Sequence, residues 1–244
     1  MPLHAGRSDD GAMLEALGLG LLGASSLLLA GLVACWVDVP KRLVGILAGF
    51  GAGSLIAAIS FDLVVEAEDV LDPWQFAVWM LVGVAVFLVA DRVVESRFGE
   101  AGVGGAMGIV VGSVVDGVPE SVIFGIQVGT GFPISLSFLA AVFISNIPQS
   151  IAPSADLKAA GWSARRVGML WLWVVLACAL AAGLGFLATD LSSAATGGRM
   201  AALAAGGLLA MLTNSLMPFA FERGGALAGA ATAVGFCVSL LGSS

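Results

Sequence analysis

Residues 104–127 read GGAMGIVVGSVVDGVPESVIFGIQ. The block is long and apolar enough to cross a hydrocarbon core of roughly 30 Å as a helix, yet it carries two carboxylates. Asp116 and Glu120 are four residues apart, which places both on one helix face about one turn from each other. An acidic residue at the centre of a span costs roughly 2.5–3.5 kcal/mol on insertion scales. Pro119 lies between them. It removes a backbone donor and clashes with the Val115 carbonyl, so the sequence predicts an opened turn with a free carbonyl oxygen beside the carboxylates. Inward-facing carboxylates and a freed carbonyl make an oxygen-rich cation site.

The rest of the chain has the same apolar character. Of its 244 residues 59% are apolar and 11% charged, against about 45–50% and about 25% in soluble domains. Mean hydropathy is +1.04. A water-soluble enzyme is excluded, and the net charge of −7 excludes nucleic acid as a partner. The apolar residues fall into eight blocks, about 14–35, 43–65, 74–94, 104–127, 132–155, 167–189, 200–221 and 224–242. Backbone groups in lipid need internal partners, so blocks of this length are helices rather than barrel strands. The expected fold is an all-α integral membrane protein, with residues 1–244 forming one transmembrane domain in the lipid bilayer.

Basic residues orient it. Counted by alternate loops, Lys41, Arg42, Arg92, Arg97, Lys158, Arg165, Arg166 and Arg223 fall on one side, against Arg7 and Arg199 on the other. The positive-inside rule then places both termini outside the cytoplasm of a plasma (inner) membrane. An odd number of spans would scramble this sorting. Trp36, Trp74 and Trp162 fall near predicted span ends, where indoles favour the interface, although ordinary helix packing also accounts for them. The net acidic start and long first block argue against a cleaved signal or lipoprotein leader. Cys35, Cys178 and Cys237 lack metal-ligand spacing and read as small core residues. The single histidine, His4, leaves no imidazole for a site within the spans.

The fifth block repeats the fourth in muted form, Phe143-Ile144-Ser145-Asn146-Ile147-Pro148-Gln149-Ser150. Aligning Pro119 with Pro148 pairs Asp116 with Ser145, Gly117 with Asn146 and Glu120 with Gln149. Two antiparallel spans with polar residues around a proline suggest an inverted repeat about a midplane site. Ser145, Asn146 and Gln149 read equally well as a hydrogen-bonded seam between helices. The second block ends with Asp62 and Glu66, again four apart, followed by Glu68, Asp69 and Asp72. This cluster is either an attractor at a cation entrance or a solvated helix end.

At these motifs the chain resembles the ZIP family of divalent metal transporters, with eight spans, both termini outside, and His-Asn-x-Pro-Glu-Gly-like motifs in spans four and five. Asp62-Leu63-Val64-Val65-Glu66-Ala67 is similar to the family's second-span ending. Asn214-Ser215-Leu216-Met217-Pro218-Phe219-Ala220 is similar to its seventh-span motif. The resemblance implies movement of a divalent cation such as zinc, manganese or iron toward the cytoplasm by alternating access, with homodimers common. The metal is substrate, with no prosthetic group and no enzymatic activity. It implies a path between the fourth and fifth helices, with Asp116, Glu120, Asn146, Gln149 and Ser145 as metal-site residues. Asp62, Glu66 and Asn214 are then entrance or accessory residues.

The chain departs from the pattern where family histidines become Asp116 and Ser145. The fifth-span glutamate becomes Gln149, and seventh-span carboxylates become Asn214 and Phe219. Two carboxylates balance one divalent ion, so a single site is expected rather than a binuclear centre. Its oxygen donors suit Mn²⁺ or Mg²⁺, while zinc also accepts carboxylates. Alternatives are a degenerate member that senses a metal or partner without transporting, and a transporter of another cation. An intramembrane aspartyl protease or phosphatidyl-alcohol transferase lacks its further catalytic aspartates here.

Overall fold

The computed structural model describes residues 9–68, 70–98, 103–131, 134–190 and 194–242. His4, Arg7 and Asp69 lie outside them, and Glu66 and Arg97 lie outside the described side chains. Among the described residues the regular structure is entirely helical. We number the helices α1 (Asp9–Val33), α2 (41–68), α3 (Pro73–Phe98), α4 (Val103–Thr130), α5 (Leu136–Ala159), α6 (Ala164–Asp190), α7 (194–224) and α8 (Ala226–Gly242). The first seven are long and apolar enough to cross a membrane, and α8 is a shorter apolar helix. A single residue, Gly225 at φ 58°, turns the chain between α7 and α8. The left-handed region it occupies favours glycine.

Two helices change winding partway. Residues Ile59–Leu63 of α2 and Leu212–Leu216 of α7 are π-helical. The proline positions behave otherwise than expected from sequence. Both α4 and α5 run as continuous helices through Pro119, Pro148 and Pro153. Neighbouring packing holds their axes helical despite the lost donors, a tolerance common in membrane helices.

Glycine sets how closely the helices approach. A methyl group on Gly53 of α2 would collide with the Thr232 carbonyl of α8, and one on Gly235 of α8 with the Phe50 carbonyl of α2. The same relation joins Gly83 of α3 to Leu203 of α7, and Gly125 of α4 to Ala182 of α6. Gly23 and Gly31 of α1 meet Val142 and Ser154 of α5. Contacts climb together along each pair, as with Gly49–Ala228 and Gly53–Thr232 between α2 and α8, Gly83–Leu203 and Asp91–Asn214 between α3 and α7, and Gly125–Ala182 and Gly129–Thr189 between α4 and α6, so the partners run parallel. Small residues permit such backbone approach, where van der Waals contact replaces the missing hydrophobic drive.

The pairs assemble into two groups. Helices α1, α4, α5 and α6 pack on one another, as do α2 with α8 and α7, and α3 with α7. The groups meet mainly where α2 crosses α5 and where α4 crosses α3 and α7. Leu55, Leu63, Ile123, Phe124, Phe138, Leu208 and Met211 fill the space between them. Outward faces are apolar, including Leu81, Val86 and Val89 of α3 and Trp173, Leu180 and Leu184 of α6. Apolar surface this extensive is unfavourable in water and natural against lipid. Trp36 and Trp74 stand exposed at helix ends, and Trp162 lies in the turn after α5. Cys35 and Cys178 are buried as expected, whereas Cys237 is exposed on α8, because its face of α8 turns away from α2.

Candidate functional site

Asp116 and Glu120 share a face of α4 but not an environment. Glu120 is 1% exposed, and neither carboxylate oxygen has a hydrogen-bond partner. Desolvating a carboxylate without compensation costs several kcal/mol. Asp116 is half-buried and lines a cavity of about 240 Å³. One helical turn therefore carries the chain from an accessible carboxylate to a sealed one.

The cavity lies at the end of the bundle that carries the basic residues. Asp91 from the last third of α3, Asp116 and Ser113 from α4, and Gln149 and Asp156 from α5 contribute its polar wall, with Ser215 and Arg223 from α7. The Arg223 guanidinium sits 3.8 Å from the centroid of the Phe219 ring and 3.4 Å from Glu222. It is a cation held at the rim by an aromatic face and an exposed carboxylate.

The α5 residues divide in the same way. Gln149 lines the cavity, and its amide nitrogen is buried without a partner. Ser145 and Asn146 are buried deeper, beside the Glu120 carboxylate. Ser145 donates back to the Val142 carbonyl at 2.9 Å. Asn146 donates to the Gly23 carbonyl of α1 at 3.4 Å, tying α5 to α1. The Asn146 nitrogen is thus engaged in a helix seam, and its oxygen is the atom with electron pairs to offer a cation. On the far side of Glu120 the rings of Phe124 and Phe138 meet at 5.1 Å between centroids, both fully buried. They fill the interior one turn beyond Glu120, away from the cavity.

Asp62 and Asn214 lie apart from this centre, each within a π-helical segment. Asp62 accepts from Ser135 at 2.6 Å and from Ser137 at 3.3 Å, and Ser135 also caps α5 by accepting from the Phe138 N–H. Asn214 donates to Asp91 at 2.7 Å, joining α7 to α3 near the cavity.

Asp91, Asp156 and Gln127 take positions that sequence reasoning did not assign, and Cys178, expected as a small core residue, is buried against α4. Asp91 and Asp156 stand near the ends of apolar blocks, where a solvated carboxylate is ordinary; their signal was the block boundary itself. The Cys178 thiol occupies the space left by the missing side chain of Gly117, since an ideal Cβ there would lie 2.8 Å from its sulfur. Among the described residues no three His, Cys, Asp or Glu side chains are grouped to hold a metal ion. Any cation bound here relies on one or two carboxylates and on neutral oxygens. No protein-family model matches the sequence, and no curated protein matches it either.

Proposed function

We propose that the chain is a ZIP-like transporter that carries a divalent cation toward the cytoplasm through the region around Glu120. The observation that carries this reading is the Glu120 carboxylate, enclosed by Ser145 and Asn146 with both oxygens unpaired. Ionisable groups retained inside a membrane at such cost mark ion pathways. A divalent cation is the partner that offsets a buried negative charge most fully.

The helix pairing supports an inverted repeat. Exchanging α1 with α6, α2 with α7, α3 with α8 and α4 with α5 converts the α1/α5 pair into α6/α4. It likewise converts α2/α8 into α7/α3. The two π-helical segments fall on exchanged helices, as do the two proline motifs. Gly51 of α2 meets Ser145 of α5 and Gly207 of α7 meets Pro119 of α4, contacts that fall on exchanged helices. With α8 as the eighth span, the sorting of basic residues supports both termini outside.

Alternating access follows from the two helix groups. The group holding Asp116, Glu120 and the α5 motif moves against the group of α2, α3, α7 and α8. On this reading the cavity at Asp116 and Gln149 is the cytoplasmic mouth, and Phe124 and Phe138 seal the outer side. Asp116 and Gln149 receive the ion as it leaves Glu120, and Asp91 and Asp156 hold negative potential along the exit.

The test is flux into proteoliposomes for Mn²⁺, Fe²⁺, Co²⁺, Zn²⁺, Cd²⁺ and Mg²⁺, with Glu120→Gln beside the wild type. Saturable flux abolished in a folded Glu120→Gln protein is expected; unchanged flux in that variant defeats the assignment. The absence of a three-ligand group among the described residues favours a second reading, a cation sensor that does not transport. Saturable flux rules it out.

A further inference from the structure

Gln127 is a second polar group in the α4 interior, and nothing in the reading above uses it. It is 0% exposed, and neither its amide oxygen nor its amide nitrogen has a hydrogen-bond partner. It follows Glu120 by seven residues, two turns that return to the same helix face and advance about 10 Å along the axis. The Phe124–Phe138 ring pair stands at the intervening level. The large majority of buried polar side chains in stable structures have a hydrogen-bond partner. A leucine would fill this position at no polar cost, so the amide is unexplained by the packing in which it sits.

We propose that Gln127 is an outer cation station. When the outer side opens, its amide oxygen gives a partly hydrated divalent ion its first oxygen ligand on the way to Glu120. The chemistry fits the place. A neutral carbonyl-type oxygen is a hard ligand that replaces one water of a Mn²⁺ or Zn²⁺ hydration shell without trapping the ion. In the closed conformation the amide is buried without a partner, which disfavours that conformation relative to the loaded one. The inference rests on the transport reading for its direction, but its central claim is that Gln127 meets cation and water from the outer side.

The test starts from a Cys237→Ala protein, because Cys237 is the exposed thiol while Cys35 and Cys178 are buried. In cells, Gln127→Cys in this background is expected to react with a membrane-impermeant thiol reagent added outside, and Mn²⁺ or Zn²⁺ slows the reaction. The parent without Gln127→Cys is the control. Gln127→Leu is expected to melt at the same or a higher temperature. Its flux falls about tenfold, the effect of losing one contact of hydrogen-bond strength to the ion. A purely structural role would lower the melting temperature instead. A thiol that stays unlabelled, labelling indifferent to the cation, or wild-type flux in Gln127→Leu overturns the station. If the wild type itself carries no flux, labelling slowed by the cation still upholds the station and retires only transport.

Discussion

Asp116 and Glu120 declare themselves in the sequence because charge inside an apolar block is costly enough to need a reason. Asp91 is as informative in three dimensions but sits where a helix nears the membrane surface, and there a carboxylate costs little. Its importance comes from the approach of α7, which brings the Asn214 amide to 2.7 Å. Asn214→Leu removes that donor and is expected to lower stability by about 1–3 kcal/mol, read as a lower melting temperature in detergent. An unchanged melting temperature would show that the bond contributes nothing. Gln127 was illegible for a different reason. A neutral side chain in an apolar run has no signature until its neighbours are known.

Helix existence was legible from block length, and helix winding was not. Pro119 and Pro148 marked the expected interruptions, because proline removes a donor that can be counted in the sequence. The observed departures are the π segments at Ile59–Leu63 and Leu212–Leu216, whose longer hydrogen-bond step no residue type announces. A π segment amounts to one inserted residue and recurs at functional sites. Deleting Ser60, whose side chain is exposed and donates only to the Ile56 carbonyl, is expected to restore an α-helix with its downstream face unchanged. Helical content and melting temperature should hold or rise while flux falls; retained flux would make the π winding incidental. Glycine placement was equally hidden, since composition counts glycines without saying which of them touch another helix. Gly53→Ala is expected to cost about 1–3 kcal/mol by overpacking against α8. Gly18→Ala, with nothing within 4 Å of the added methyl, is expected to be neutral or to stabilise by about 0.5–1 kcal/mol. Thermal melts of the two variants side by side check the contrast.

At the scale of the molecule, hydropathy and the sorting of lysine and arginine were enough to anticipate a helical bundle in a membrane. The two groups of helices were not visible that way, because they arise from parallel pairs between helices far apart in the chain. Orientation remains a prediction with a direct check. With Cys237→Ala as background, Asp72→Cys is expected to react with an impermeant thiol reagent in intact cells. Lys158→Cys should react only after the membrane is permeabilised, and the reverse pattern would invert the topology. The aromatic contact of Phe124 with Phe138 has a wider consequence. The cavity reaches Asp116 from one face, and the tilted rings stand about two turns further along α4, so the packed layer from Glu120 to the rings is what separates the two ends of the bundle. That layer is the insulator across which the full membrane voltage drops, so the field is concentrated there rather than spread over the thickness of the bilayer. On the transport reading, shaving both rings to alanine is expected to open a leak, registered as depolarisation before any change in metal content.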